Sequence, residues 1–130
     1  MAVSAEALVV TLAYLLAKHC VVDFFLQTPY QYLNKGKYLH PGGLLHSGLH
    51  AVASLPVLLI AAPATVAAGV IVIAGEAVIH YHTDFAKDRI SKAYGWDPQN
   101  QRYWNALGVD QLIHGLTYLA MVYVLVTQRS

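Results

Sequence analysis

Residues 64–87 read ATVAAGVIVIAGEAVIHYHTDFAK, and this stretch decides the fold. It is long enough for a helix crossing a bilayer, which takes roughly 20 residues. The first half carries no charge. The second half places Glu76, His80 and Asp84 at successive spacings of four, with Lys87 close behind. That spacing puts side chains on one helix face. The segment therefore reads as an apolar helix with a single polar stripe near one end.

Three further stretches qualify as spans: 5–27, 44–62 and 103–127. Pro29, Pro41 with Gly42 and Gly43, Pro63, and Pro98 punctuate the joints. Pro56 falls inside the second span, where a membrane helix tolerates a kink. The joint Ala61-Ala62-Pro63-Ala64 is short and uncharged, so the second and third spans are expected to form a tight hairpin. The expected architecture is all-α: one domain over 1–130, a four-helix transmembrane bundle of antiparallel, up-down helices.

Composition agrees. Of the 130 residues, 57% are hydrophobic and 12% charged, about half of the roughly 25% charge typical of soluble domains. A net charge of +1 gives no electrostatic footprint for nucleic acid. Cys20 is the single cysteine, which excludes an intrachain disulfide; it reads as a small filler in the first helix. The N-terminal run lacks the basic start of a cleaved signal peptide and contains Lys18, His19 and Asp23. It is expected to be a retained helix.

Lys35 and Lys37 fall in the first loop, and Arg89, Lys92 and Arg102 in the third. The second loop has no basic residue, and the termini add Arg129. The positive-inside rule then puts loops one and three in the cytoplasm and both termini outside. Tyr30, Tyr32 and Tyr38 flank one boundary; Tyr94, Trp96, Tyr103 and Trp104 suit its counterpart.

Every span carries a polar stripe. His19 and Asp23 are four apart, with Gln27 a turn later. His46 and His50 repeat the spacing, as do Asp110 and His114, with Gln111 beside them. Successive spans run in opposite directions, so late in span one and early in span two are the same side. Most of these residues should sit roughly 5–15 Å below the cytoplasmic boundary, at 1.5 Å rise per residue. A lone intramembrane His–Asp pair is an ordinary interhelical hydrogen bond, worth about 0.6–2 kcal/mol. Four pairs at one level favour a metal centre instead.

Imidazole and carboxylate are ligands that zinc, manganese and iron accept, and helical bundles build two-metal sites from them. The expected ligands are His19, Asp23, His46, His50, His80, Asp84, Asp110 and His114. They would hold one or two divalent ions, with zinc favoured. Asp23, Glu76, Asp84 and Asp110 would together carry four negative charges, which two such ions would balance. Four unpaired acids cost on the order of 10 kcal/mol in a bilayer, and structural zinc returns roughly 10–16 kcal/mol.

Lys87, Glu76, Gln111 and Gln27 are expected to support the chemistry around the ions. Glu76 lies deeper and has a pairing with His80 open to it. Lys87 either neutralises Asp84 or meets substrate. Lys18 reads as snorkelling to the interface. His82 points away from the stripe, and His40 sits solvated in a loop. Gly48, Gly108 and Gly115 read as points of close helix approach, which leaves self-association into a homo-oligomer open. His46-Ser47-Gly48-Leu49-His50 lacks the Glu of a zinc-protease helix, so that reading fails.

The order His19-x3-Asp23-x3-Gln27, His46-x3-His50, His80-x3-Asp84-x2-Lys87 and Asp110-Gln111-x2-His114 resembles a bacterial and phage membrane family, domain of unknown function 3307. The likeness covers nearly the whole chain. It implies a short, multi-span inner-membrane protein, and Glu76 stands outside the family pattern. There is a looser likeness to membrane-bound metal-dependent hydrolases. The leading expectation is an intramembrane, metal-dependent hydrolase in contact with membrane lipids, acting on a lipid-linked or phosphate-bearing substrate. A bound metal would lower the pKa of a coordinated water towards about 7. The alternatives are an ion- or proton-relay module and a structural protein stapled by metal.

Overall fold

A computed structural model describes residues 4–128; residues 1–3, Arg129 and Ser130 lie outside the described residues. The described residues form helices α1 (Ala5–Phe24), α2 (Pro29–Tyr32), α3 (Pro41–Ser54), α4 (Val57–Ile60), α5 (Val66–Ala93) and α6 (Gln101–Thr127). Four helical units are long and apolar enough to cross a membrane: α1, α3 with α4, α5 and α6.

The helix starts follow local chemistry. Ser4, Thr65 and Asn100 each accept a backbone N–H at the start of α1, α5 and α6, satisfying donors that a helix N-terminus leaves orphaned. His40 does the same for α3, its Nδ1 accepting from Gly42 N–H at 3.0 Å, with Pro41 in the first turn. His40 is thus a half-buried cap rather than a solvated loop residue. Pro56 has no N–H to donate, so the helical hydrogen bonding lapses there between α3 and α4, while Leu55 and Pro56 keep helical backbone angles and the span stays one kinked unit.

α5 continues past Lys87 to Ala93, where a left-handed Gly95 ends it (φ 64°). Trp96 N–H donates to Ser91 O and Gly95 N–H to Lys92 O, the pairing of a Schellman stop. This reversal carries Trp96 back towards α6.

Contacts along neighbouring helices run in opposite senses. Asp23 meets His46, Lys18 meets His50, and Tyr14 OH donates to Ala53 O. Likewise Tyr81 lies against the Gly43 position, while Leu58 lies against that of Gly69. Loops one and three share an end of the molecule, since Lys92 Nζ donates to Leu33 O. The opposite end holds the apolar core of Leu15, Val57, Val72, Tyr118, Met121 and Leu125. Polar and apolar interiors are thereby stacked end to end.

Two packing expectations fail. A side chain at Gly48, Gly108 or Gly115 would meet nothing within 4 Å, so none permits close approach within the chain. The tight positions are Gly42, against Tyr30 O, Gly36, against the Asp88 carboxylate, Gly69, against Pro63, and Gly43, against Tyr81. Cys20 is exposed rather than a core filler.

Candidate metal centre

The four spans bring all eight expected ligands into one buried cluster. Each is at most 9% exposed, and His50 is fully buried. Asp23 is the hub on α1. Its Oδ1 lies 3.0 Å from His46 Nε2 and 2.9 Å from His50 Nε2, both on α3, and its Oδ2 lies 3.1 Å from His19 Nε2. Asp84 is the counterpart on α5. Its Oδ2 stands 3.3 Å from both His46 Nε2 and His80 Nε2, and its Oδ1 stands 3.4 Å from His114 Nε2. His114 Nε2 is also 3.6 Å from Asp110 Oδ1.

His46 Nε2 and His80 Nε2 approach each other to 3.2 Å. One imidazole nitrogen carries at most one N–H, so His46 Nε2 cannot donate to Asp23, Asp84 and His80 together. Hydrogen bonding alone leaves these atoms over-converged. Ligand atoms about 3.3 Å apart are what a tetrahedral ion with bonds of about 2.0–2.1 Å requires. Asp23, His46, His50 and His80 each offer one such atom, all within 4.8 Å of one another; His19 with His80 and His114, and Asp84 with Asp110 and His114, form overlapping sets. The donor set therefore suits a borderline divalent ion.

The supporting residues divide. Gln111 bridges two of the expected ligands, its Oε1 3.2 Å from His19 Nε2 and its Nε2 donating to Asp110 Oδ2 at 3.1 Å. Gln27 Nε2 donates to Asp23 O at 2.7 Å, while its Oε1 is buried without a hydrogen-bond partner. Both face a polar cavity of about 400 Å³ that Asp23, Lys35, Asp84 and Lys87 also line.

Three expectations about cations and Glu76 are corrected. Asp84 pairs with Lys35 from loop one at 2.7 Å, not with Lys87, whose Nζ lies over the Tyr103 ring at 5.9 Å. Glu76 pairs with Lys18 rather than His80, and it lies below the ligand cluster. Lys18 does not snorkel; it is 6% exposed and its Nζ also reaches His50 Nδ1 at 3.2 Å. A buried acid with an equally buried lysine is the stable solution, because either charge alone would be stranded. His82 is exposed, as expected.

Lys35 and Tyr118 are the members that sequence reasoning missed. Tyr118 OH lies 2.8 Å from His19 Nδ1 and orients that ring. It extends the four-residue spacing of Asp110 and His114 by one more turn, a signal present in the sequence. Lys35 had none, because its reach depends on how loop one folds over α5.

Fold and site together define the class: an all-helical protein with four helices able to cross a membrane and a buried histidine–aspartate cluster at one end. Residues 11–130 match the family described as "Protein of unknown function (DUF3307)", and the chain belongs to that family. No curated protein matches the chain, and neither does any solved structure.

Proposed function

We propose that this chain is an integral membrane metalloprotein that hydrolyses a lipid-linked or phosphate-bearing substrate. The observation that carries this reading is the convergence of His46 and His80 Nε2, at 3.2 Å, between the carboxylates of Asp23 and Asp84. Membrane-embedded carboxylates and imidazoles are costly unless partnered, and an ion resolves the crowding that protons leave unresolved.

Charge supports a single ion. Lys18 pairs with Glu76 and Lys35 with Asp84, so the net negative charge left over the four buried acids, that of Asp23 and Asp110, is what one divalent ion would balance. His46, His80, Asp23 and Asp84 would hold it. His50 takes a supporting role, because an ammonium on Lys18 donates to His50 Nδ1 and leaves the ring proton on Nε2, directed at Asp23. A divalent ion supplies Lewis acidity and an acidified water. Gln111 would hold His19 and Asp110 in register, and Lys87 would meet an anionic substrate as a point charge. With loops one and three cytoplasmic, the cavity opens towards that side of the bilayer.

Elemental analysis of the purified protein tests this directly. The expected result is about one equivalent of zinc, manganese or iron, strongly reduced in His80→Ala and Asp84→Ala. Folded protein that contains no transition metal, even after reconstitution with zinc, would overturn the reading.

A further inference from the structure

The polar cavity has an apolar neighbour. A groove of about 480 Å³ runs between α5 and α6 along Ile90, Ala106, Val109 and Ile113. Ile90, Val109 and Ile113 are exposed, so the groove is open to whatever surrounds the helices. Lys87, Trp96 and Asp110 line both spaces and form the wall between them. The Schellman stop at Gly95 delivers Trp96 to that wall.

An occupant spanning both spaces must be apolar at one end and polar at the other. Its polar end is anionic where it meets the shared wall, whereas the cavity beyond, with Asp23, Asp84, Asp88 and Asp110 against Lys35, Lys87 and Lys92, does not itself favour an anion. Asp88 and Asp84 are taken by Lys92 and Lys35. Lys87 beside the shared wall and Arg102 in the groove have no acidic partner among the described residues. Lys87 is held over the Tyr103 ring, which leaves its ammonium donors free to face a ligand. In a bilayer the molecule meeting these conditions is a lipid.

We propose that a membrane lipid bearing a terminal phosphate docks here, its chain in the α5–α6 groove and its phosphate at the shared wall beside Lys87, in the groove that Arg102 also lines. This names the substrate class of the hydrolase and rests on that reading for turnover, while binding itself does not require the metal. Entry is lateral, and the phosphate stops at Lys87 in the wall, with the ion that Asp23 and Asp84 would hold in the cavity beyond.

The test uses the full chain in phosphatidylcholine nanodiscs with two photoreactive probes, a diazirine-tailed lysophosphatidic acid and the matching uncharged monoacylglycerol. Cross-links are mapped by mass spectrometry, and metal content is measured on the same samples. The phosphate probe is expected to label groove residues about tenfold more than the neutral one, the worth of one charge-assisted contact. Ala106→Trp, which fills the groove, should abolish that labelling, and Lys87→Gln should equalise the two probes. Inorganic phosphate should not displace the probe. Labelling spread evenly over the outer faces of α1 and α3, equal labelling by both probes, or displacement by inorganic phosphate would overturn the proposal. Preferential labelling of a protein that holds no metal supports the lipid site and sinks the hydrolase. Metal retained without preferential labelling sinks the lipid site alone.

Discussion

Replacing Lys18 by Met removes the cation facing Glu76. The two side chains are 5% and 1% exposed, and Glu76 Oε2 already lacks a hydrogen-bond partner. The carboxylate would be stranded. Breaking a buried pair from one side costs about 3–5 kcal/mol, and Lys18→Met should fall in that range. The converse change is milder, because Lys18 keeps His50 Nδ1 at 3.2 Å and His50 O at 3.3 Å as acceptors and packs on the Tyr118 ring. Contacts to a charged group are worth about 1.5–3 kcal/mol, so Glu76→Leu should cost about 2 kcal/mol. Making both changes together replaces the pair by apolar volume and should return stability to within about 1 kcal/mol of the parent. Reversible unfolding in mixed detergent micelles, followed by helical circular dichroism and analysed as a double-mutant cycle, gives all three values. Equal penalties for the two single changes, or an additive double variant, would refute the pairing.

His50→Gln should weaken divalent-ion affinity only about tenfold, as loss of a supporting partner does; His46→Ala should abolish stoichiometric binding, and calorimetric titration separates the two. Gly42→Ala should destabilise by about 1–3 kcal/mol, because a Cβ there collides with Tyr30 O. Gly108→Ala, with open space around it, should change stability by less than about 1 kcal/mol in the same unfolding assay. Cys20 is exposed on α1, so in native membranes it should react with a lipid-soluble maleimide and resist a charged methanethiosulfonate. Equally fast mass shifts with both reagents would place that face of α1 in water.

The four apolar helices and their polar stripes were legible because both signals are local. Hydrophobic length and four-residue spacing survive in a one-dimensional string. The level at which the stripes meet was also legible, since alternating direction makes late and early positions coincide. Partner choice within the cluster was not. Lys18 lies beside His19 in sequence, yet its place against Glu76 follows from the rotation of α1 relative to α5. Lys35 reaches Asp84 because loop one is folded over the end of α5, with Tyr81 OH accepting from Leu39 N–H at 2.6 Å to hold it there. The glycines misled for a related reason. A glycine in a membrane helix suggests close packing, but Gly48, Gly108 and Gly115 lie where no neighbouring helix passes.

The same end-to-end stacking bears on the choice between hydrolysis and relay. A proton or ion path needs polar groups or water across the whole apolar thickness. Below Lys18 and Glu76 the interior is closed by Leu15, Val57 and Leu125, all fully buried, with Val72 and Met121 beside them. Among the described residues, the hydroxyls of Thr11 and Ser54 are the polar side chains set among them at 0% exposure, and neither is ionisable near neutral pH. The cavity, by contrast, leads from Gln27 and Lys87 to Asp23, Asp84 and Asp110. A cluster lined by a cavity at one end and by packed apolar side chains at the other is what the proposed hydrolysis needs. Chemistry on a molecule entering from that leaflet fits this plan, whereas conduction would require a second chain to complete the route.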